Sequence, residues 1–258
     1  PKDVQFAKGN YTQKEKIIIP SHRLFEPEIF KNDEKINEVV NLISKAKKPI
    51  FYIGGGCINS GPKASELVSQ FVETTGAPAT MTLMGLGVLG SSHSNSLGML
   101  GMHGMYEANM AMHECDLLIN IGARFDDRVT GRLDAFSPNS KKIHIDIDES
   151  NINKTIKVDV PVVGDVTSIL KRVIKVWKDN NLKTNKSDLK LWWDKINNWK
   201  KIDCLHFSNN EKEIKPQYAI QRLYELTKDK KTFITTEVGQ HQMWAAQYYK
   251  FEKPNRWL

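Results

Sequence analysis

The sequence predicts an α/β fold with a doubly wound parallel sheet, and three observations support this prediction. Helix-like and strand-like segments alternate over roughly the first ninety residues, as they do when crossover helices connect parallel strands. The strand candidates are short, uninterrupted apolar runs, which is typical of strands buried on both faces. The clearest of these runs, Leu117–Ile121, is followed at once by a polar segment with charges of alternating sign.

The elements of this domain can be predicted one by one. The first helix is capped by Asn32 or Asp33 and carries apolar residues at helical spacing. The predicted strands are 50–53, 79–83, 117–121, 142–147 and an edge strand at 160–163. Further helices are predicted from Pro62 to Gly76, from 106 to 113, and after a Gly164-Asp165 cap. The glycine-rich segment 85–104 is predicted to be a loop.

Three segments describe the domain organisation. Residues 1–27 are expected to be the end of an N-terminal domain with a linker, and residues 28–180 a complete middle domain. Residues 181–258 are expected to be a linker and the incomplete start of a second α/β domain. That start contains a tryptophan-rich helix beginning at Ser187 or Asp188, a helix beginning at Pro216 and a strand at 232–236. Both ends of the chain look cut.

Composition excludes several function classes. The net charge is +7, but the lysines are dispersed along the sequence, which disfavours a continuous basic surface for nucleic acid. Small anionic ligands remain possible partners. No run approaches the roughly 20 apolar residues of a membrane span. Cys57, Cys115 and Cys204 are far apart, so we expect neither a disulfide framework nor a zinc site, and a reducing compartment.

The segment Gly122–Gly131 holds the charges that follow the central strand. Because ligands bind beyond the carboxyl ends of parallel strands, it is a candidate binding loop. A solvated loop with weak ion pairs is an equal alternative. The residues alone indicate an α/β domain that binds an anionic cofactor at its strand ends.

Other candidate groups also follow strands. Gly54-Gly55-Gly56 permit close approach of a ligand, or are ordinary turn glycines. The segment 100–104 offers glycines, Met102 and His103 to a planar ring. Asp146 is a candidate acceptor for ribose hydroxyls, whereas Asp148 better suits a cap. We interpret His22, His93, His113 and His206 as structural. No acid/base dyad and no Ser-His-Asp pattern stands out.

Together, several motifs closely resemble the catalytic large subunit of acetohydroxyacid synthase, also called acetolactate synthase. The resemblance covers essentially the whole chain. The motifs are, in chain order, KKPIFYIGGGC (47–57), TLMGLG (82–87), LGMLGMHG (97–104), GARFDDRVTG (122–131), HIDID (144–148), GDV (164–166) and VGQHQMWAAQYY (238–249).

The resemblance implies a function. Members of this family use thiamine diphosphate and Mg²⁺ to decarboxylate pyruvate and join the product to pyruvate or 2-oxobutyrate, the first common step of branched-chain amino-acid synthesis. Their middle domain binds FAD, which undergoes no net redox change. The resemblance also implies 2-oxoacid substrates, a homo-oligomer with a small regulatory subunit, no nucleic-acid or membrane partner, and a location in the bacterial cytoplasm or a eukaryotic organelle.

The resemblance also assigns site residues. FAD contacts are assigned to Gly54, Gly55, Gly56, Thr82, Leu83, Met84, Leu100, Met102, His103, Gly122, Arg124, Asp126, Val129, Asp146, Ile147, Asp165 and Val166. Thiamine diphosphate contacts are assigned to Val238, Gly239, Gln240 and His241. Asp127 and Arg128 match the mouth of the substrate channel. Arg124 suits a pyrophosphate, because arginine binds phosphate oxygens in a fixed geometry.

Parts of the family pattern are missing from this chain. The catalytic glutamate matches a position before Pro1, and the Mg²⁺ motif a position after Leu258, so the segment alone is expected to be inactive and to hold no metal ligand. Glu237 stands where many members carry glycine or aspartate.

Three alternatives stay open at this point. Pyruvate oxidase and glyoxylate carboligase share the middle-domain architecture. A sirtuin-like NAD-dependent deacylase has a related sheet but needs a zinc module, which these cysteines do not provide. A nucleotide-binding module without chemistry of its own is the third alternative.

Overall fold

We describe a computed structural model of the chain, which covers residues 6–10, 33–210 and 212–258. The predicted cap Asn32, the interpretation of His22 and most of segment 1–27 lie outside the described residues. No helix among these residues is both long and apolar enough to cross a membrane.

The elements are numbered here in chain order. The helices are α1 (Asp33–Lys45), α2 (Gly56–Asn59), α3 (Pro62–Thr75), α4 (Tyr106–Glu114), α5 (Asp127–Thr130), α6 (Val166–Asp179), α7 (Lys186–Lys200), α8 (Pro216–Thr227) and α9 (Gln240–Tyr248). The strands are β1 (Pro49–Ile53), β2 (Ala79–Met81), β3 (Ser96–Met99), β4 (Leu117–Ile121), β5 (Lys141–Asp146) and β6 (Val160–Val163).

The strands form one six-stranded parallel sheet in the order β3-β2-β1-β4-β5-β6, which confirms the predicted fold class. The central strands β1 and β4 are buried at every position, as expected when helices cover both faces. The edge position predicted for residues 160–163 is confirmed, since β6 pairs only with β5.

Alternate residues of each strand face two separate cores. Phe51, Ile119 and Ile143 contribute to the core beneath α1, α3 and α6. Ile50 and Leu118 contribute to the opposite core, which α4 and α7 cover. The sheet is therefore sandwiched between two helical layers, and only its strand ends are left for a ligand.

The structure corrects four predictions of local structure. Residues 96–99, predicted as loop, form the edge strand β3, so the sheet has six strands rather than five. Residues 232–236 do not form a strand, because Ile234 makes only an isolated bridge to Trp257. An additional short helix, α2, starts directly at Gly56, before the helix predicted from Pro62, which is confirmed as α3. Helix α7 is capped by Asn185, whose side chain accepts from the amides of Ser187 and Asp188.

Helix α7 packs on the sheet through its tryptophans. Trp192 is almost fully buried, and its Nε1 donates to the Pro49 carbonyl at 3.1 Å. Trp193 donates to the Gly76 carbonyl at 2.9 Å, and the Trp192 and Trp199 rings pack edge to face. The packing against this sheet therefore extends beyond residue 180.

We predict that Trp192→Ala destabilises the fold by about 3–5 kcal/mol, because it removes a large buried ring and leaves a cavity. Chemical denaturation of the full-length protein measures this effect. The control is Leu191→Ala, since Leu191 is exposed on the same helix and should change stability by less than about 0.5 kcal/mol. Equal effects of the two changes would contradict the packing of α7 on the sheet.

The segment after α9 joins the larger core. Tyr249, Phe251 and Trp257 are buried there, and the Phe251 carbonyl accepts from the Ser91 amide at 3.0 Å. The Gln247 side chain donates to the His103 carbonyl at 2.9 Å. These contacts anchor the end of α9 and the segment after it to the domain that contains the sheet.

Candidate ligand cleft at the strand ends

The order of the strands places a crevice between β1 and β4. Connections from β1 lead toward β2 and β3, whereas β4, β5 and β6 extend in the other direction. At such a switch point the loops after the two central strands diverge and leave room for a ligand. The loops in question begin with Gly54 after β1 and with Gly122 after β4.

Glycines let these two loops touch. The Gly54 amide donates to the Ile121 carbonyl, and the Gly56 amide donates to the Gly122 carbonyl, both at 2.9 Å. A Cβ atom on Gly54 would lie 2.2 Å from the Gly122 oxygen, and one on Gly56 would lie 2.8 Å from the Gly122 Cα. Gly54 and Gly56 therefore allow the two loops to touch. The sequence alone did not distinguish this role from close approach to a ligand.

The charged segment turns around Asp126. Its carboxylate caps α5 by accepting from the Arg128 amide at 3.2 Å, and it lies 3.4 Å from an Arg124 guanidinium nitrogen. A hydrogen bond with the Asp127 side chain, the Arg128 amide and the nearby arginines lower the pKa of Asp126. The Arg124 side chain is 74% exposed, so this ion pair is weak and the guanidinium is available to an anion.

Asp146 and Asp148 follow β5 on the next side of the crevice. The Asp146 carboxylate accepts from the Asp148 amide at 2.8 Å, and the Asp148 carboxylate accepts from the Ser150 amide at 2.9 Å. The capping role expected for Asp148 is confirmed. Asp146 uses one oxygen for the turn and still lies on the wall of the cleft.

The remaining wall is apolar and comes from separate segments. Met84, Met102, Ile147 and Val238 are between 47% and 86% exposed although they surround the cleft. Large exposed apolar side chains gathered around a concavity indicate a site that an apolar ligand surface covers.

The cleft has a volume of about 830 Å³, within the range of cofactor sites. It brings together Gly55, Gly56, Thr82, Leu83, Met84, Leu100, Met102, His103, Gly122, Arg124, Asp126, Val129, Asp146 and Ile147, all predicted as FAD contacts. It also includes Arg128, Val238, Gly239 and Gln240.

Several predicted residues do not line this cleft. Gly54 lies behind it against the loop after β4. Asp165 caps α6 by accepting from the Ser168 amide at 2.9 Å, and its other oxygen accepts from the Ser60 hydroxyl at 2.5 Å. Val166 is buried in the core, and the His241 ring lies against Gly239.

The substrate-channel candidates Asp127 and Arg128 are the first two residues of α5. Asp127 lines a neighbouring cavity of about 440 Å³, and Arg128 lines both cavities. The short helix α5 therefore separates the cleft from a second opening, and Arg128 is the charged group that reaches both.

The cleft also contains residues that the sequence analysis missed, namely Tyr52, Asn59, Met99, Ala123, Asp148, Asn151, Gln242 and Met243. Most of them belong to the motifs and lie close to predicted residues, whereas Asn59 and Asn151 lie outside the motifs and had no signal. Tyr52 and Met99 belong to strands. In a buried apolar run, a residue that also lines a site cannot be recognised from the sequence.

Two of the cysteines are buried and protonated, and the described residues form no metal-binding group. Burial raises the pKa of Cys57 to about 12 and that of Cys115 to about 11, so both thiols stay protonated and unreactive. His93 is structural as predicted, since its Nδ1 accepts from the Asn95 amide at 3.1 Å. In the parts of the chain that the structure covers, no three His, Cys, Asp or Glu side chains come together as metal ligands.

Fold and site together define a doubly wound α/β domain with a dinucleotide-sized crevice at the switch point of its sheet. Residues 36–173 match the family model described as the central domain of thiamine pyrophosphate enzymes. The chain belongs to this family, and the matched segment contains all six strands of the sheet.

Curated relatives extend the similarity to the whole chain. The chain is 44% identical to the acetolactate synthase large subunit of Buchnera aphidicola subsp. Schizaphis graminum, over all of the chain and 44% of the relative. It is 40% identical to the acetolactate synthase isozyme 3 large subunit of Escherichia coli, over 92% of the chain and 41% of the relative. It is 45% identical to the chloroplastic acetolactate synthase of Arabidopsis thaliana, over all of the chain and 38% of the relative. The chain thus spans about two fifths of the length of these relatives.

Proposed function

We propose that this chain is the flavin-holding middle part of an acetolactate synthase large subunit. The reaction proposed for the whole protein is decarboxylation of pyruvate and carboligation to pyruvate or 2-oxobutyrate. The observation that carries the proposal is the strand-end cleft, which gathers most of the residues assigned as FAD contacts into one dinucleotide-sized crevice. Identities of 40–45% to acetolactate synthases support the particular reaction.

The residues present fit FAD. Exposed apolar side chains, among them Met84 and Met102, suit the face of an isoalloxazine ring, which needs cover from water. The exposed guanidinium of Arg124 suits the pyrophosphate, and the carboxylate of Asp146 suits a ribose hydroxyl. Gly55 and Gly56 keep the loop after β1 free of side chains at the cleft.

A second cofactor is proposed at the start of α9. Val238, Gly239 and Gln240 border the cleft, and the first amides of a helix are free to bind phosphate oxygens. Thiamine diphosphate supplies the electron sink of the reaction when it is bound, and this chain contributes phosphate contacts to it. Mg²⁺ would be held through residues outside this chain.

The partners and the cellular location of the whole protein are also proposals. Names such as "large subunit" support a small regulatory partner, and we propose a homo-oligomer of the catalytic chain. A plant relative is named chloroplastic. For a bacterial protein we propose the cytoplasm, and for a eukaryotic one an organelle.

The proposal is tested on the full-length protein. We expect purified protein to show a flavin absorption band, and we expect it to form acetolactate from pyruvate only when thiamine diphosphate and Mg²⁺ are supplied. A flavin band with peroxide production and no acetolactate would instead favour the pyruvate oxidase alternative. Bound nicotinamide in place of flavin would contradict the proposal altogether.

A further inference from the structure

Three polar side chains lie side by side inside the sheet, beneath the charged loop. Tyr52 of β1 is the register partner of Asn120 of β4, and Asn120 is the register partner of His144 of β5. All three are fully buried on the face covered by α4 and α7. We call them the buried triad.

The buried triad hydrogen-bonds two consecutive residues of the loop after β4. The Asn120 side chain makes two hydrogen bonds with the Ala123 backbone. Its Nδ2 donates to the Ala123 carbonyl at 2.8 Å, and its Oδ1 accepts from the Ala123 backbone amide at 3.0 Å. His144 Nε2 lies 3.1 Å from the same carbonyl, and it must carry a hydrogen because a carbonyl only accepts. The Tyr52 hydroxyl donates to the Arg124 carbonyl at 3.1 Å.

These bonds fix the peptide groups on both sides of Arg124. Phe125 also contacts the buried triad: its ring packs edge to face on the His144 ring, with the ring centroids 5.1 Å apart. The backbone from Ala123 to Phe125 is therefore held from beneath, while the Arg124 side chain extends into solvent at the cleft. Only the backbone of this loop is pre-organised.

The buried triad contributes less to the stability of the fold than apolar residues would at the same positions. Apolar β-branched residues are the usual occupants of buried parallel strands. His144 Nδ1 is buried and, within the described part of the chain, has no hydrogen-bond partner, which is an uncompensated desolvation cost. Polar residues retained at such a cost are expected where they position a functional group.

We infer that Tyr52, Asn120 and His144 are positioning residues, which set the direction in which Arg124 and Asp126 face the cleft. The inference rests on the proposed flavin site. His144 and Asn120 do not line the cleft, so changing Asn120 acts on ligand binding through the loop. His144 Nε2 also lies 3.5 Å from the Asp146 carboxylate, so trypsin cleavage after Arg124, which reports on the loop itself, is measured beside the FAD affinity.

The test compares His144→Phe with wild type in the full-length protein. Phenylalanine keeps an aromatic ring beside Phe125 but removes the donor and the unpartnered Nδ1. We expect unchanged or higher thermal stability, FAD affinity about five- to tenfold lower, and faster trypsin cleavage after Arg124 in flavin-free protein. His144→Gln, which retains a donor, should recover part of the affinity.

The matched control is Tyr249→Phe. Tyr249 is also buried, and its hydroxyl lies 2.9 Å from the Thr227 hydroxyl, away from the loop. It should change neither FAD affinity nor cleavage after Arg124. Tyr52→Phe, in contrast, should accelerate that cleavage because it frees the Arg124 carbonyl.

The outcomes separate this inference from the proposed function. Wild-type affinity and wild-type cleavage in His144→Phe and Tyr52→Phe would overturn the positioning role while the flavin site stands. If wild-type protein binds no FAD, the proposed function fails, and the cleavage rates of flavin-free protein still decide whether the triad holds the loop.

Discussion

Arg124→Ala is expected to weaken FAD binding about ten- to a hundredfold, the effect of losing a charge-assisted hydrogen bond to phosphate. The Arg124 guanidinium makes only a weak, exposed ion pair with Asp126, so little interaction energy is lost when it binds a phosphate instead. Fluorescence titration of the flavin-free full-length protein measures the affinity. The loss should shrink as salt rises, because exposed charges are screened.

Arg132→Ala is the matched control for this change. Arg132 is likewise exposed and likewise paired with an aspartate two residues later, Asp134, but it does not border the cleft. It should leave FAD affinity within about twofold of wild type, since exposed pairs contribute little. An equal loss in both variants would show a general charge effect, and no loss in Arg124→Ala would refute its pyrophosphate contact.

Gly54→Ala is expected to destabilise the protein by about 3 kcal/mol, because the added methyl group overlaps the backbone of the neighbouring loop. Its Cβ would lie 2.2 Å from the Gly122 oxygen and 2.3 Å from the Ala123 Cα, and neither atom can move without breaking the contact between the two central strands. Urea denaturation gives the change in free energy of unfolding. Flavin binding should fall as well, since the loop after β4 carries Arg124.

Two other glycines calibrate this result. A Cβ on Gly55 would meet only the Met84 residue, nearest at 3.1 Å, so Gly55→Ala should cost less than Gly54→Ala. None of the residues that the structure describes lies within 4 Å of a Cβ on Gly9, so Gly9→Ala should have almost no effect. If the three variants unfold at the same urea concentration, the contact between the loops after β1 and β4 is not as described.

Part of the site was predictable because the polarity of the sequence changes sharply at strand ends. Gly122 to Arg128 follow an apolar run, and in a parallel sheet that position is the ligand edge. The glycine-rich segment 100–104 also indicated Met102 and His103, whereas Val238 was assigned only through a family motif. The capping role of Asp165 was predictable from the Gly164-Asp165 pair before α6 and is confirmed, whereas its hydrogen bond with Ser60 depends on where α6 meets the end of α2.

Two elements show where local patterns fail. Strand β3 contains Gly98 with a positive φ and an irregular register against β2, so its sequence lacks a strand period. Residues 232–236 have strand-like composition, yet only Ile234 bridges to Trp257. A strand is defined by its neighbours, and composition alone does not supply them.

The sequence by itself determined the fold class, the two central strands and the charged loop that follows β4, because burial on both faces leaves a direct record in apolar runs. Only the tertiary structure decided which glycines join loops, which residues line the cleft, and that Tyr52, Asn120 and His144 lie in register beneath Arg124. These three residues are separated along the chain, and the pairing of β1, β4 and β5 is what brings their side chains to one loop.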